Sequence, residues 1–243
     1  MTMIDRLRHE MRLLGLGTFG LPLLAALVFT GVSALAAYDA RNTGGSQALA
    51  HDDIAKGLLL LLEFGLPPVA GLLAAYLVTG NPTLELHLAL PRSYAAVIWL
   101  RLTLLTLWCL LAAALTSAAI SAAGYWIAPQ ADPRRPLIWA APMLWFVAGG
   151  AMLSLLLRSR VASGAVLGMV WLGELFLRAY FLQNSALQKI YLFLTLETLP
   201  GAGAPASAYW LANRLTLLAM AALFLAALAF LLRRDEALLG HET

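Results

Sequence analysis

Glu63, Glu174 and Arg178 interrupt long apolar stretches, and ionisable side chains in such settings commonly do chemistry or carry something. A charge at the centre of a bilayer costs about 2.5–3.5 kcal/mol on insertion scales, so it faces the protein interior or an aqueous cavity. Glu174 and Arg178 are four residues apart, on one face of a helix, where opposite charges partly neutralise each other. That spacing fits both a self-satisfied structural pair and a role in a cavity or gate. Glu63 has no opposite charge at helical spacing, which leaves a pathway role or a side chain reaching toward the outer surface. Pro67-Pro68 follows it closely and supplies no N–H donor, so a kink is expected there, a candidate hinge beside an acidic group.

Enzymatic chemistry is not indicated. The sequence has no His-Glu-x-x-His metal pair, no Gly-x-Ser-x-Gly elbow and no Gly-x-x-x-x-Gly-Lys-Ser/Thr phosphate loop. Its histidines, His9, His51, His87 and His241, are scattered without ligand spacing, so no catalytic residue and no metal site is expected. Cys109 is the only cysteine, which rules out an internal disulfide. No relay of Asp, Glu and His runs through successive apolar segments, which weakens an ion-coupled mechanism. Energy for any transport must come from another chain or from an ion gradient.

The elements that position these residues are set by composition. Of 243 residues, 61% are hydrophobic and 12% charged, with mean hydropathy +0.80, which excludes an ordinary soluble domain. Six windows, near 16–38, 58–78, 100–120, 139–157, 161–182 and 211–232, approach the roughly 20 residues that cross a bilayer. Lipid offers no partner to a bare amide, so each window is expected to be helical. The reading is an all-α polytopic membrane protein forming one domain over 1–243. Ser33-Ala34-Leu35-Ala36-Ala37 resembles a signal cleavage site, but the apolar run before it exceeds the usual 7–15 residues, favouring an uncleaved first span.

With the amino terminus inside, nine of the 16 basic residues, among them Arg92, Arg101, Arg158 and Arg160, fall on the cytoplasmic side. Seven, including Arg178 and Arg214, fall outside. This weak bias places both termini in the cytoplasm. The charge of +3 reflects topology, and no basic stripe with stacking aromatics points to nucleic acid. At the amino terminus Ile4, Leu7, Met11 and Leu14 recur at helical spacing among charged residues, as an interfacial helix on membrane lipid requires. Arg158-Ser159-Arg160 is a tight link that makes spans four and five an antiparallel hairpin. The apolar stretch 186–199 is too short to cross and precedes the breaker run Pro200-Gly201-Ala202-Gly203-Ala204-Pro205, so a re-entrant or interfacial helix is expected before span six.

The connection after span two, 80–92, is the strongest pointer to a partner. Leu84, Leu86, Leu88 and Leu90 alternate with Thr83, Glu85, His87 and Ala89, but a lone strand here would have no sheet to join. As a helix opening at Asn81 with Pro82 in its first turn, it carries apolar residues on two sides and a charged edge through Glu85 and Arg92. Two apolar faces need two surfaces: the bundle and something outside the chain.

This stretch, Asn81-Pro82-Thr83-Leu84-Glu85-Leu86-His87-Leu88-Ala89-Leu90-Pro91-Arg92-Ser93, resembles the signature after the second span of type-2 ABC transporter permeases. Six spans, an amphipathic amino-terminal helix and a re-entrant segment before span six are similar to the same family. The resemblance implies a permease subunit of an exporter, without a nucleotide-binding domain, in a prokaryotic cell membrane. It further implies a separate ABC ATPase that carries ATP and Mg, and a second permease subunit. Thr83, Leu84, Glu85, Leu86, Leu88, Pro91 and Arg92 would then be the ATPase contacts of a coupling helix, and no cofactor is expected in this chain. The approach to the motif, Tyr76-Leu77-Val78-Thr79-Gly80, is less charged than in many relatives, which shifts the contact toward the leucines. A non-transporting scaffold recruiting a cytosolic protein, and an ion-coupled carrier, are the alternatives.

Overall fold

The computed structural model describes residues 18, 20–28, 30–32, 35, 38–39, 42, 54–57, 59–79, 94–122, 136–197 and 208–240. The expected amino-terminal helix, the coupling segment 80–92, the proline-rich connection 124–135 and the breaker run 200–205 lie outside the described residues.

The described residues are mostly helical, with no strand among them. Four helices are long and apolar enough to cross a membrane: α2 (Ile54–Thr79), Ala95–Ala119 within α3 (Tyr94–Ala122), α4 (Leu137–Leu157), and Tyr209–Arg234 within α9 (Ala208–Gly240). They cover the windows expected near 58–78, 100–120, 139–157 and 211–232. The first window contains a shorter apolar helix, α1 (Gly20–Val32). The fifth is divided: α5 (Arg160–Phe176) has 17 residues and ends before Leu177, and α6 (Arg178–Gln183) follows. At about 1.5 Å per residue, α5 alone reaches about 25 Å, short of the hydrocarbon thickness.

α2 and α4 form the centre, and glycine lets them touch through their backbones. A Cβ on Gly150 would lie 2.2 Å from the Gly71 carbonyl oxygen, and one on Gly71 would lie 2.8 Å from that of Phe146. Removing both side chains permits the close approach on which membrane helices depend. Toward the end of α2, Ser154 donates to the Ala75 carbonyl at 2.7 Å and pairs with Thr79 at 2.7 Å, so the seam continues in hydrogen bonds. α9 packs on α4, bringing Leu228 and Leu232 into the core.

The link between α4 and α5 is as tight as the sequence implied. Arg158 takes a left-handed conformation, φ 50°, that ends α4, and its N–H donates to Leu155 O. Ser159 then caps α5 by accepting the Ala162 N–H at 3.2 Å. Ser163 donates to Gly150 O at 3.1 Å, and the Arg160 guanidinium lies 4.9 Å from the Tyr76 ring centre, which ties α5 to both central helices.

The stretch before α9 differs from the single helix of 186–199 expected from its apolar residues. α7 (Ser185–Gln188) and α8 (Leu194–Glu197) are one-turn pieces separated by a non-helical strap. Tyr191, Leu192, Phe193, Leu194 and Thr195 are nonetheless buried. The Leu192 and Thr195 N–H groups and the Tyr191 and Leu192 carbonyls are bonded by side chains of other helices, so the chain needs less of its own helical ladder there.

Candidate functional site

The site is built where α2, α5 and α9 meet the strap 188–195. Glu63 sits in a π-helical turn, Leu61–Gly65, closed by the Leu66 N–H donating to Leu61 O. Such widened turns inside α-helices often occur at functional positions. Pro67 and Pro68 follow directly and lack the N–H groups that would continue the ladder. In an unbroken α-helix residue 68 would donate to the Phe64 carbonyl. Here the Trp171 indole N–H of α5 donates to it at 3.1 Å, while the Phe64 and Trp171 rings lie 4.3 Å apart. The carbonyl that Pro68 leaves without a donor is thus satisfied by a neighbouring helix.

Glu63 is fully buried and forms an ion pair with the fully buried Arg214 of α9. The same Oε1 atom accepts the Thr195 backbone N–H at 3.1 Å. Arg214 also donates to Thr195 Oγ1 at 2.6 Å and to Leu192 O at 3.4 Å, and its guanidinium lies 5.6 Å from the Trp210 ring centre. Trp210 in turn donates to Thr195 Oγ1 at 2.9 Å. Beside it, Asn213 donates to Gln188 O at 2.7 Å and Tyr191 O at 2.8 Å. Glu174 completes the ring from α5, accepting the Leu192 N–H at 2.7 Å.

Side chains of α2, α5 and α9 thus meet the Leu192 and Thr195 N–H groups and the Gln188, Tyr191 and Leu192 carbonyls, while the Lys189 and Ile190 N–H groups donate to Ala186 O and Leu187 O. An isolated Arg214 in this setting would be costly; Glu63, a hydroxyl and a carbonyl surround it. Glu174 is buried, and the charges acting on it are Glu63 and Arg214. Arg178, its expected i,i+4 partner, is exposed at the start of α6, beyond the interruption at Leu177. Both acidic residues chosen from the sequence therefore converge on one place, and Pro67 and Pro68 adjoin it.

The cation that pairs with Glu63 is not among the residues the sequence singles out. The count of basic residues puts Arg214 on the outer aqueous face; in the structure it is enclosed on α9. The signal was available, because Arg214 lies inside the window 211–232. Thr195, Asn213 and Trp171 carried no comparable mark. Arg101, also placed among the cytoplasmic charges, is buried along α3. The coupling-helix candidates Thr83, Leu84, Glu85, Leu86, Leu88, Pro91 and Arg92 lie outside the described residues.

No protein-family model, curated protein or solved structure matches the chain.

Proposed function

We propose that this chain is the transmembrane permease subunit of an exporter similar to the type-2 ABC family, moving a substrate by alternating access driven by a separate ATPase. The observation that carries the reading is the segment 81–93, with its paired leucine faces, charged edge and family-like signature. It joins two membrane-capable helices, α2 ending at Thr79 and α3 beginning at Tyr94. A connection of that length between two spans has no packing need for two apolar sides, whereas a docking helix does.

In this reading the chain has six spans, counting α1 and the α5–α6 pair, with both termini in the cytoplasm. Thr83, Leu84, Glu85, Leu86, Leu88, Pro91 and Arg92 contact the ATPase, which binds ATP and Mg. A second permease copy or homologue completes the pathway. Closure of the ATPase pushes the coupling helix and so displaces α2. The Glu63–Arg214 pair supports this over an ion-coupled carrier, because both charges are engaged within the protein instead of standing ready for a travelling ion.

The test is purification of the tagged chain with its neighbouring nucleotide-binding proteins. A Walker-type ATPase should co-purify, and Glu85→Ala combined with Leu88→Ala should abolish substrate-linked ATPase activity while membrane insertion stays normal. Normal coupling in that variant would overturn the assignment.

A further inference from the structure

The strap 188–195 is bound in two ways: Tyr191, Leu192, Phe193 and Leu194 are buried in an apolar cluster with Trp145, Phe146, Leu167 and Leu217, and its backbone is gripped by polar side chains of three helices. Its polar grip comes from Glu63 on α2, Glu174 on α5, and Trp210, Asn213 and Arg214 on α9. Phe193 adds ring contacts, lying 5.0 Å from Phe64 and 5.7 Å from Tyr191. Between its one-turn helices the strap makes little regular backbone structure of its own. The bundle beneath it has independent fastenings: the Gly71–Gly150 crossing, the Ser154–Thr79 seam and the α4–α5 hairpin.

We propose that residues 188–195 form a detachable strap, and that Glu63 and Arg214 are the positioning residues that latch it to the bundle. Glu63 is the release point. One of its oxygens holds both Arg214 and the Thr195 N–H, so a shift of α2 breaks both contacts at once. Glu174 is a secondary fastener, since it holds only the Leu192 N–H among the strap's backbone groups. Release exposes a backbone able to bond to water together with the apolar side chains of Tyr191, Leu192, Phe193 and Leu194, while α2, α4 and α5 keep their own contacts. The strap therefore opens as a local unit below the global unfolding limit.

The roles of the two carboxyl groups differ in a way that a merely structural cluster would not show. Gln at position 174 retains a carbonyl acceptor for the Leu192 N–H, whereas Gln at position 63 leaves Arg214 buried without its counter-charge. Loss of the Glu63 charge therefore releases the strap far more than loss of the Glu174 charge.

The experiment uses the full chain in detergent, carrying Leu192→Cys beside the native Cys109. Leu192 is fully buried in the strap, and Cys109 is buried in the core of α3. A hydrophilic maleimide reports the opening of each place separately. With Glu63→Gln or Arg214→Gln, labelling of the introduced thiol should rise by about a hundredfold or more, following the larger open population, while Cys109 stays protected. Glu174→Ala should raise it about tenfold, and Glu174→Gln less than about threefold. If both thiols become reactive together, the charges hold the whole bundle and the strap is not separable; if neither does, the latch is absent. Either result overturns the proposal. No ATPase or substrate is needed, so the outcome is independent of the exporter reading.

Discussion

Glu63 and Arg214 are each surrounded so completely that either one alone would be an uncompensated charge in a low-dielectric interior. Removing one partner of such a pair typically costs about 3–5 kcal/mol, whereas replacing both can cost far less. Thermal unfolding in detergent should therefore show Glu63→Gln and Arg214→Gln each strongly destabilised, with the double variant more stable than the sum of the two losses implies. Additive losses would show that the two do not act as a pair. Trp171 offers a second test, because its N–H meets a carbonyl that Pro68 leaves without a donor. Trp171→Phe keeps an aromatic ring against Phe64 and should still lose about 1–3 kcal/mol, since the Phe64 oxygen is left unpaired. At this scale the sequence marked Glu63 and Glu174 by their charge in apolar windows. It concealed their partners, because those contacts join residues more than 130 positions apart for Glu63–Thr195 and 151 for Glu63–Arg214.

The elements were easier to foresee than their joins. Lipid leaves the backbone little choice besides a helix, so windows of apolar residues translate almost directly into α2, α3, α4 and α9. That rule fails where side chains replace the ladder. The strap 188–195 looks like part of an apolar helix, yet Glu63, Glu174, Asn213 and Arg214 supply its bonds from elsewhere. Glycine gives a sharper prediction. Gly150→Ala places a methyl group 2.2 Å from the Gly71 oxygen and must push α2 from α4, a loss of about 1–3 kcal/mol. Gly168→Ala on α5 meets nothing within 4 Å and should gain up to about 1 kcal/mol from reduced backbone freedom in the unfolded chain. Equal effects at the two positions, measured by denaturant titration in mixed micelles, would argue against a backbone-tight crossing.

For the whole molecule, α4 separates the connection 124–135 from the Arg158-Ser159 turn. A membrane-impermeant thiol reagent applied to intact cells should label a cysteine placed in 124–135 and miss Ser159→Cys, both in a Cys109→Ala background. Labelling of both would show that α4 does not cross. The reverse pattern would invert the orientation drawn from the basic residues. The latch also has a consequence in time. A chain made from its amino terminus presents Glu63 to the membrane long before Arg214 exists, 151 residues later. The acidic second helix must meanwhile stay near water or a helper, and Phe64 likewise waits for Trp171, 107 residues on. Synthesis of α9 supplies the counter-charge, so that helix closes the pair from behind, and a chain stopped short of Arg214 carries an unanswered acid into the bilayer.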